Sequence, residues 1–318
     1  MSQDTGPAVV PTTDGPTTAT ADVGSAHVAA ADFVKYEALG NDYIVIDPHR
    51  TGFEPSPHNV QLACDRHYGL GADGLLYGPL PAEHGFRLLT FNPDGTECGK
   101  SGNGTRIFAR YLRESGYTEA EEFTLHSAAG PATVHIVDAA AGLVRVDLGT
   151  ASLDSRAAGA SGPARTMVRE PLRAAGQSWE ATCVHLGTPH CVIPLVGPAD
   201  EALARRVGAA VRDHELFPGR TNVELLDVID RENIRIEIFE RVAGYTLASG
   251  SSACAAAYAA HTLGLTGPHV TVHMPGGQVG VDIDGAGRIS LVGEVHPVLQ
   301  GRWAPRIARL LSGRAAPA

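Results

Sequence analysis

Residues 98–112 read CGKSGNGTRIFARYL, a glycine-rich turn that runs into an amphipathic pattern. Glycines at such a turn let the backbone approach a neighbour closely. Apolar residues then recur at helical spacing, which predicts a helix over 102–115 with Ser101 just before its first position. The stretch presents a serine hydroxyl at a helix start, where it either caps the helix or takes part in chemistry.

The same pattern recurs in the second half of the chain. FRLLTFNPDGTECGKSGNGTRIFARYL at 86–112 aligns with IRIEIFERVAGYTLASGSSACAAAYAA at 234–260, which pairs Ser101 with Ser249. Three further pairs keep the same order: ALGNDYIVI at 38–46 with HLGTPHCVI at 185–193, DRH at 65–67 with RDH at 212–214, and FTLHSAAGPATVHI at 123–136 with VTVHMPGGQVGVDI at 270–283. Four ordered matches indicate an internal duplication rather than chance similarity between Ala- and Gly-rich stretches.

The duplication predicts two lobes of one topology. Alternating stretches such as FRLLTF, IRIEIF, VTVHM and VRVDL predict antiparallel strands with one buried face. Each lobe has one principal predicted helix, over 102–115 and 250–264. The Ala/Gly/Ser/Arg-rich residues around 150–180 are expected to join the lobes. The predicted fold class is therefore α/β (α+β).

The composition favours a small molecule as the partner. The 318 residues carry a formal net charge of −10 and contain no basic run, which argues against binding to nucleic acid or to an anionic membrane. The length suits two domains with separate cores. No apolar run reaches the roughly 20 residues that a membrane span needs.

Cysteine usage and the first residues predict a cytoplasmic location. The five cysteines are scattered without a C-x-x-C pair, which fits a reducing compartment. Residues 1–31 lack Lys, Arg and the apolar block of a secretory signal, so we expect a disordered tail. No metal is expected, because His185, His190 and Cys191 do not share one helical face. The glycine turns lack G-x-x-x-x-G-K-[ST], so no nucleotide is expected either.

Paired helix starts suit one kind of chemistry. If equivalent turns face each other across a cleft, Ser101 and Ser249 approach a ligand from opposite sides. The N–H groups and dipole of each helix start favour a carboxylate. Two side chains on opposite faces of one α-carbon can invert a stereocentre, because one removes a proton and the other delivers one. The alternative for each serine is a plain N-cap.

Six motifs carry a family resemblance. They are GNDYIVID, DRHYGLGADGLL, FNPDGTE followed by SGNGTRIFARYL, GTPHCVI, TNVELL and FERVAGYTLASGSSACAA. Over nearly the whole chain from Phe33 to about residue 315, the sequence resembles the diaminopimelate epimerase family of pyridoxal-phosphate-independent amino-acid racemases and epimerases. The resemblance implies no cofactor, a role in lysine biosynthesis, and dimerisation, which is frequent in the family.

The resemblance also implies the architecture. Two pseudo-symmetric domains are expected, each a mainly antiparallel sheet wrapped around a central helix, with the active site in the cleft between them. The C-terminal segment is expected to return to the first domain. The expected boundaries are 32–150 plus 295–318 for the N-terminal domain and 151–294 for the C-terminal domain, after the tail of residues 1–31.

The substrate contacts implied by the resemblance fall into two groups. The reacting carboxylate would be held at Gly102, Asn103, Gly250 and Ser251. The remainder of the substrate, especially its distal amino-acid end, would meet Asn41, Asn92, Thr188, Asn222, Glu240 and Arg241. A guanidinium such as that of Arg241 suits a bidentate grip on a second carboxylate.

The sequence departs from the family pattern at the catalytic positions. Ser101 and Ser249 stand where the family has cysteines, Thr188 where it has an asparagine, and Tyr245 where it has a glutamate. A thiol at a helix start can ionise near neutral pH, whereas a serine hydroxyl keeps its proton unless a partner takes it. The predicted auxiliary acids or bases are His190, Tyr245 and Lys100. Cys98 and Cys254 lie three residues before Ser101 and five after Ser249, so they do not replace the thiols.

Three functions stay open at this point. The first is an amino-acid epimerase or racemase, with weak or absent activity on diaminopimelate itself. The second is a re-purposed enzyme that isomerises, dehydrates or cyclises a carboxylate substrate. The third is a catalytically silent amino-acid-binding protein. Conversion of a two-cysteine parent to serines would not account for Lys100, Thr188 and Tyr245, so we expect the serines to be native.

Overall fold

The computed structural model describes residues 31–99 and 101–311. Within these ranges the chain forms five helices: α1 (Pro57–Cys64), α2 (Gly102–Glu114), α3 (Glu201–Arg212), α4 (Gly250–Thr262) and α5 (Pro305–Leu311). The strands up to the middle of the chain are β1 (Phe33–Ala38), β2 (Asn41–Ile46), β3 (Gly74–Leu80), β4 (Phe86–Phe91), β5 (Glu122–Ser127), β6 (Gly130–Asp138), β7 (Leu143–Thr150) and β8 (Glu170–Ala174). The later strands are β9 (Gln177–His185), β10 (Pro189–Pro194), β11 (Asn222–Val228), β12 (Asn233–Glu240), β13 (Gly244–Thr246), β14 (His269–Met274), β15 (Gly277–Ile283), β16 (Arg288–Glu294) and β17 (His296–Gly301).

Hydrogen bonds join the strands into one large, mostly antiparallel network. Among the described residues, parallel pairing links β2 to β3, β4 to β5, β10 to β11, and β12 to β14. The two halves meet where β16 pairs with β7 in antiparallel register, with Leu291 opposite Val146. The predicted mixed α/β class with mainly antiparallel strands is confirmed.

The order of pairing repeats in the two halves. From β2 to β7 the successive pairs are parallel, antiparallel, parallel, antiparallel and antiparallel. The series β10, β11, β12, β14, β15 and β16 follows the same order. The helices α2 and α4 occupy equivalent places, each has 13 residues, and they begin at Gly102 and Gly250 as predicted. The duplication inferred from the sequence is therefore confirmed in the topology.

Strand alternation sorts side chains onto two faces of the sheet. In the second half, Val192 packs in the cluster that contains the alanines of α4, whereas Cys191 packs in the cluster that contains α3. In the first half, Tyr43 packs with α2, whereas Ile44 packs with α1. A period of two explains this separation, because neighbouring strand residues point to opposite faces. The functional consequence is that only the α2 and α4 faces lead to the two helix starts.

The stretch around 150–180, which is expected to join the lobes, contains regular secondary structure. It contains β8 and the start of β9, which form an antiparallel hairpin. Met167 is fully buried in the cluster around α3. Burial of a few apolar residues outweighs the polar, glycine-containing composition, so this segment packs into the cluster around α3.

The two ends of the described chain lie side by side. β17 pairs with β1, as the expected return of the C-terminal segment requires. The predicted tail of residues 1–31 lies outside the described residues except for Ala31, which is buried. The boundaries proposed for the two domains stay predictions. Within the described ranges, none of the helices is both long and apolar enough to cross a membrane.

Candidate active site

The N-termini of α2 and α4 converge on one leucine. A Cβ atom added at Gly102 would lie 3.8 Å from Leu291 Cδ2, and one added at Gly250 would lie 3.1 Å from the same atom. The Cβ position of Gly250 is also 3.8 Å from Asn103 Oδ1. A methyl group at Gly250 would therefore crowd Leu291, which would have to shift by a few tenths of an ångström. The structure thus brings together the four predicted carboxylate-holding residues, which are Gly102, Asn103, Gly250 and Ser251.

Ser101 is the N-cap of α2 and has a second partner. Its Oγ accepts the Gly104 N–H at 3.0 Å and lies 3.0 Å from the phenol oxygen of Tyr43. The Tyr43 ring rests on the backbone of Gly74, because a Cβ there would lie 2.5 Å from Tyr43 Cε1. Burial raises the pKa of Tyr43 to about 12, so the phenol stays protonated at neutral pH.

Ser249 is the N-cap of α4 but makes no capping hydrogen bond with its side chain. Its Oγ lies 3.5 Å from Ser251 Oγ and is close enough to the carboxyl group of Glu240 to lower the pKa of that group. Burial raises the pKa of Glu240 above its ordinary value, although the bond from Ser249 and the nearby His190 oppose the rise. The negative charge of Glu240 also raises the pKa of Tyr43, although burial is the larger cause.

A buried chain of polar groups lies beside Glu240. His190 Nδ1 lies 2.7 Å from Glu224 Oε1, and its Nε2 lies 2.9 Å from Thr188 Oγ1. The side chains of His190 and Glu224 have 0% exposure, whereas Thr188 is half-buried. An ionised carboxylate only accepts hydrogen bonds, so Nδ1 carries the proton and Nε2 accepts from Thr188 when the imidazole is neutral. His190 is therefore held between the half-buried Thr188 and the buried Glu224.

The predicted asparagines are held by hydrogen bonds. Asn103 Nδ2 donates to Asn41 Oδ1 at 3.1 Å, and Asn41 Nδ2 donates to Asp73 Oδ2 at 3.1 Å. The buried Arg106 donates to Asn103 Oδ1 at 2.7 Å. These bonds fix the orientation of Asn41 and Asn103 beside the start of α2.

Two more predicted contacts belong to strand ends. Asn222 Oδ1 accepts the backbone N–H of Arg241 at 2.9 Å, which ties β11 to the end of β12 next to Glu240. Asn92 is exposed and donates to Thr96 Oγ1 at 2.9 Å within its own turn. The described contacts therefore connect Asn222 and Arg241 with the site, whereas Asn92 is engaged locally.

Tyr245 faces away from both serines. It lies opposite Phe239 on the α3 face of the sheet, donates to Glu237 Oε2 at 2.8 Å, and has the Arg205 guanidinium 4.7 Å from its ring centre. Glu240 is one residue beyond Phe239 and so points to the other face. The structure does not bring Tyr245 to the cleft as an auxiliary acid or base. Lys100, which was also predicted as an auxiliary acid or base, lies outside the described residues.

Sequence reasoning missed Tyr43 and Glu224 as site residues. Both lie inside the motifs GNDYIVID and TNVELL, so a signal was present. The alignment of 38–46 with 185–193 places Tyr43 opposite His190, which was a candidate. Glu224 occupies the position equivalent to Leu76, which is an apolar core residue in the first half. A carboxylate in place of a core leucine is the feature that could have drawn attention to it.

A cavity of about 400 Å³ lies elsewhere, between the end of β1 and the strands β15 and β16. Its lining includes Glu37, Gly40, Gln278 and Glu294 but none of the residues predicted to contact substrate. The convergence of the helix starts, rather than this cavity, marks the candidate site.

Comparison with known proteins gives one consistent result. The family profile described as diaminopimelate epimerase matches residues 33–153 and 182–298. The chain is 42% identical over 276 residues to diaminopimelate epimerase 2 of Nostoc sp., covering 86% of this chain and 96% of that protein. It is 40% identical over 256 residues to the diaminopimelate epimerase of Moorella thermoacetica, covering 79% and 90%. Among solved structures, a predicted epimerase from Pseudomonas aeruginosa aligns with a TM-score of 0.61 at 18% identity, covering 86% and 99%.

Proposed function

Since this chain belongs to the diaminopimelate epimerase family, we propose that it is a cofactor-independent isomerase that acts at the α-carbon of an amino acid. Ser101 and Ser249 exchange protons with the two faces of that carbon. The observation that supports this most directly is the convergence of Gly102 and Gly250 on Leu291, because it sets the two serines at neighbouring helix starts. The proposed architecture is two pseudo-symmetric domains, 32–150 with 295–318 and 151–294, packed around α2 and α4.

The helix starts supply the grip on the reacting carboxylate. The first N–H groups of a helix have no partner within the helix, and the helix dipole adds positive potential there. At the start of α2, the Thr105 N–H donates to the Ser101 carbonyl oxygen. Gly102 and Asn103 precede Thr105, so their N–H groups belong to the first turn of the helix. Gly250 and Ser251 stand at the equivalent places in α4. A carboxylate bound between them would present its α-carbon to both hydroxyls.

Each hydroxyl has a polar partner that a serine needs for proton transfer. Ser101 has Tyr43, and Ser249 has Glu240. A serine hydroxyl is a weak acid and a weak base until an adjacent group shares its proton. The partners compensate for the absence of thiols, and Arg241 together with Asn222 would contact the distal end of the substrate.

The two sides also differ, which favours a second candidate function. A phenol accompanies Ser101, whereas a carboxylate and the His190–Glu224 pair accompany Ser249. A reversible inversion requires each group to act as base in one direction and as acid in the other, whereas a proton shift within a carboxylate substrate can use one fixed base and one fixed acid. A re-purposed isomerase, dehydratase or cyclase is therefore the alternative that this asymmetry supports.

The test is α-proton exchange in deuterated water, followed by proton NMR. LL- and meso-diaminopimelate and a panel of amino acids are incubated with the wild-type protein and with Ser101→Ala/Ser249→Ala. A Ser101→Cys/Ser249→Cys variant restores the family's thiols, and Ser178→Cys at an exposed site is the matched control. Exchange by the wild type and its loss in the double-alanine variant support the proposal.

Three outcomes contradict it. Exchange by the double-cysteine variant alone would mean that the cleft binds amino acids but that the native chemistry is different, as in the second candidate. Consumption of a carboxylate substrate without α-proton exchange would lead to the same conclusion. Binding without turnover by any variant would favour an amino-acid-binding protein.

A further inference from the structure

The hydrogen bonds that Ser101 makes with described residues leave its O–H as the group that can meet a ligand. A serine oxygen has two lone pairs and one hydrogen. The Gly104 N–H occupies one lone pair at 3.0 Å. The phenol oxygen of Tyr43 lies 3.0 Å away, where either oxygen could donate. The greater acidity of a phenol favours Tyr43 as the donor, and its hydrogen bond then fills the second lone pair. The remaining O–H of Ser101 is then the group that can be donated to a ligand.

Ser249 has the opposite arrangement. Its side chain does not accept a capping N–H from α4. Its contact with Glu240 is to a carboxylate, and an ionised carboxylate only accepts. The hydrogen of Ser249 can therefore point to Glu240. Because no capping N–H fills its lone pairs and Ser251 Oγ is 3.5 Å away, Ser249 Oγ is left to accept from a ligand.

The duplicated fold provides an internal comparison. Tyr43 and His190 occupy equivalent positions on β2 and β10, each next to the first residue of the parallel neighbour strand. His190 is bound to the buried Glu224, whereas the position equivalent to Glu224 is the apolar Leu76. The fold thus accepts a leucine where the second half has a carboxylate. The negative charge on the Ser249 side is a feature of its chemistry rather than a requirement of the fold.

We propose that the cleft is polarised, with Ser249 as the group that removes a proton from carbon and Ser101 as the group that delivers one. Tyr43 is a positioning residue that acts through Ser101, and Glu240 acts through Ser249. The inference rests on the proposed function, because it assigns a direction to the two serines of that site.

The proton transfers balance without a further reagent. The C–H bond breaks as its proton moves to Ser249 Oγ, while the hydroxyl proton of Ser249 moves to Glu240. The electron pair stays on the substrate carbon. The proton of Ser101 then forms the new C–H bond on the other face, and the proton of Tyr43 replaces it on Ser101. Loss of one proton from Glu240 to water and gain of one by Tyr43 restore the starting state.

The first experiment measures polarity without turnover. Ser101→Cys and Ser249→Cys are made separately in a Cys98→Ser background, so that iodoacetamide reaches one cleft thiol in each variant. The pH dependence of alkylation, with the modified residue identified by mass spectrometry, gives the thiol pKa at each position. Two donated hydrogen bonds stabilise a thiolate at position 101, and the Glu240 carboxylate disfavours one at position 249.

The expected result is that the thiol at position 101 ionises at the lower pH. Adding Tyr43→Phe should raise its pKa, and adding Glu240→Gln should lower the pKa of the thiol at position 249. The matched controls are Tyr77→Phe and Glu237→Gln, which alter a phenol bonded to Phe53 O and a carboxyl bonded to Tyr245. The reverse order of ionisation, or no response to Tyr43→Phe, would overturn the inference.

The second experiment uses turnover. Tyr43→Phe keeps the ring on Gly74, so we expect the fold to persist. With the epimer whose α-hydrogen faces Ser249 as substrate, we expect Tyr43→Phe to lower the rate of inversion by about 10²-fold. Exchange of that α-hydrogen for deuterium with retention of configuration should continue. Glu240→Gln should lose both the inversion and the deuterium exchange. Inversion by Tyr43→Phe at the wild-type rate would overturn the assignment.

The two experiments separate the polarity from the proposed function. If the wild type exchanges no amino-acid α-proton, the proposed function fails, and the thiol titrations alone decide whether the cleft is polarised. If exchange occurs but the thiols ionise in the reverse order, the function stands and the direction is wrong.

Discussion

Tyr43 and His190 occupy equivalent positions in the two halves of the chain, and they differ in what they bind. Tyr43 lies opposite Gly74 and hydrogen bonds to Ser101. His190 lies opposite Asn222 and bonds to Thr188 and Glu224. One duplicated strand position thus supplies a phenol to one side of the cleft and an imidazole to the other.

The His190–Glu224 pair should show strong non-additivity in stability. His190→Leu leaves the fully buried Glu224 carboxylate without its cation or donor and should cost about 3–5 kcal/mol of unfolding free energy. The double variant His190→Leu/Glu224→Leu removes that charge and should be more stable than His190→Leu alone. Leu76 at the equivalent first-half position is the precedent for leucine there. Urea denaturation at pH 7 measures all three, and additive free-energy changes would contradict the coupling.

Glu240 should set the acidic limit of activity. Burial raises its pKa above the ordinary glutamate value of about 4.3, and proton acceptance requires the ionised form. We expect the exchange rate to fall as the pH falls through this raised pKa, and Glu240→Gln to lose activity at every pH. Initial rates of α-proton exchange between pH 4 and 9 give the profile. A wild-type profile that stays flat down to pH 4 would contradict the assignment.

The raised pKa of Glu240 should lower the stability of the fold at neutral pH. Because the folded state favours protonated Glu240, the ionised carboxylate costs stability at pH values above its folded pKa, and this cost disappears below the unfolded pKa. Glu240→Gln should therefore be more stable than the wild type at pH 7, and the difference should shrink at pH 4. Glu237→Gln is the matched control, since burial also raises the pKa of Glu237 on the opposite face of β12. It should leave the pH profile of exchange unchanged.

Gly74 should be needed to seat Tyr43. A methyl group at this position would lie 2.5 Å from the Tyr43 ring and 2.8 Å from the Phe91 carbonyl oxygen. Gly74→Ala should therefore cost about 1–3 kcal/mol of unfolding free energy and move the phenol from Ser101. Gly52→Ala is the control, because no heavy atom lies within 4 Å of its added Cβ. Thermal denaturation tests the first effect, and equal stability of the two variants would contradict it.

Asp42 should stabilise the strand turn beside Asn41. Burial alone would raise its pKa, but hydrogen bonds from Arg66 and Lys35 outweigh that effect and lower it. A depressed pKa stabilises the fold above the unfolded value of about 3.9, and this contribution is lost as the pH falls through the folded pKa. Asp42→Asn should thus cost about 1–3 kcal/mol at pH 7 and progressively less below pH 4. Urea denaturation at both pH values measures it, with Glu119→Gln at an exposed position as control.

The sequence predicted the serine-bearing helix starts because their signals are local. Glycine, N-cap serine and helical spacing act within a few residues, and α2 and α4 begin at Gly102 and Gly250 as expected. The partners of the serines were not predictable in this way. Tyr43 lies 58 residues from Ser101 in the chain, and only the pairing of strands around α2 brings the two oxygens together.

Composition did not indicate the regular structure of one segment. Residues around 150–180 include β8 and the buried Met167, and their role in joining the lobes stays a prediction. Tyr245 was similarly ambiguous from its position near Ser249 in the chain. Its strand register places it opposite Phe239, toward α3, and a shift of one residue would have turned it to the other face.

The sequence by itself determined the duplication, the fold class and the positions of Ser101 and Ser249, because repeated motifs and residue periodicity are properties of the chain alone. Only the tertiary structure decided which groups share protons with those serines. Hydrogen-bond direction depends on distances of about 3 Å between residues far apart in sequence, and burial decides which carboxyl and phenol groups have shifted pKa values. The contrast between Tyr43 at Ser101 and Glu240 at Ser249 is therefore a product of folding.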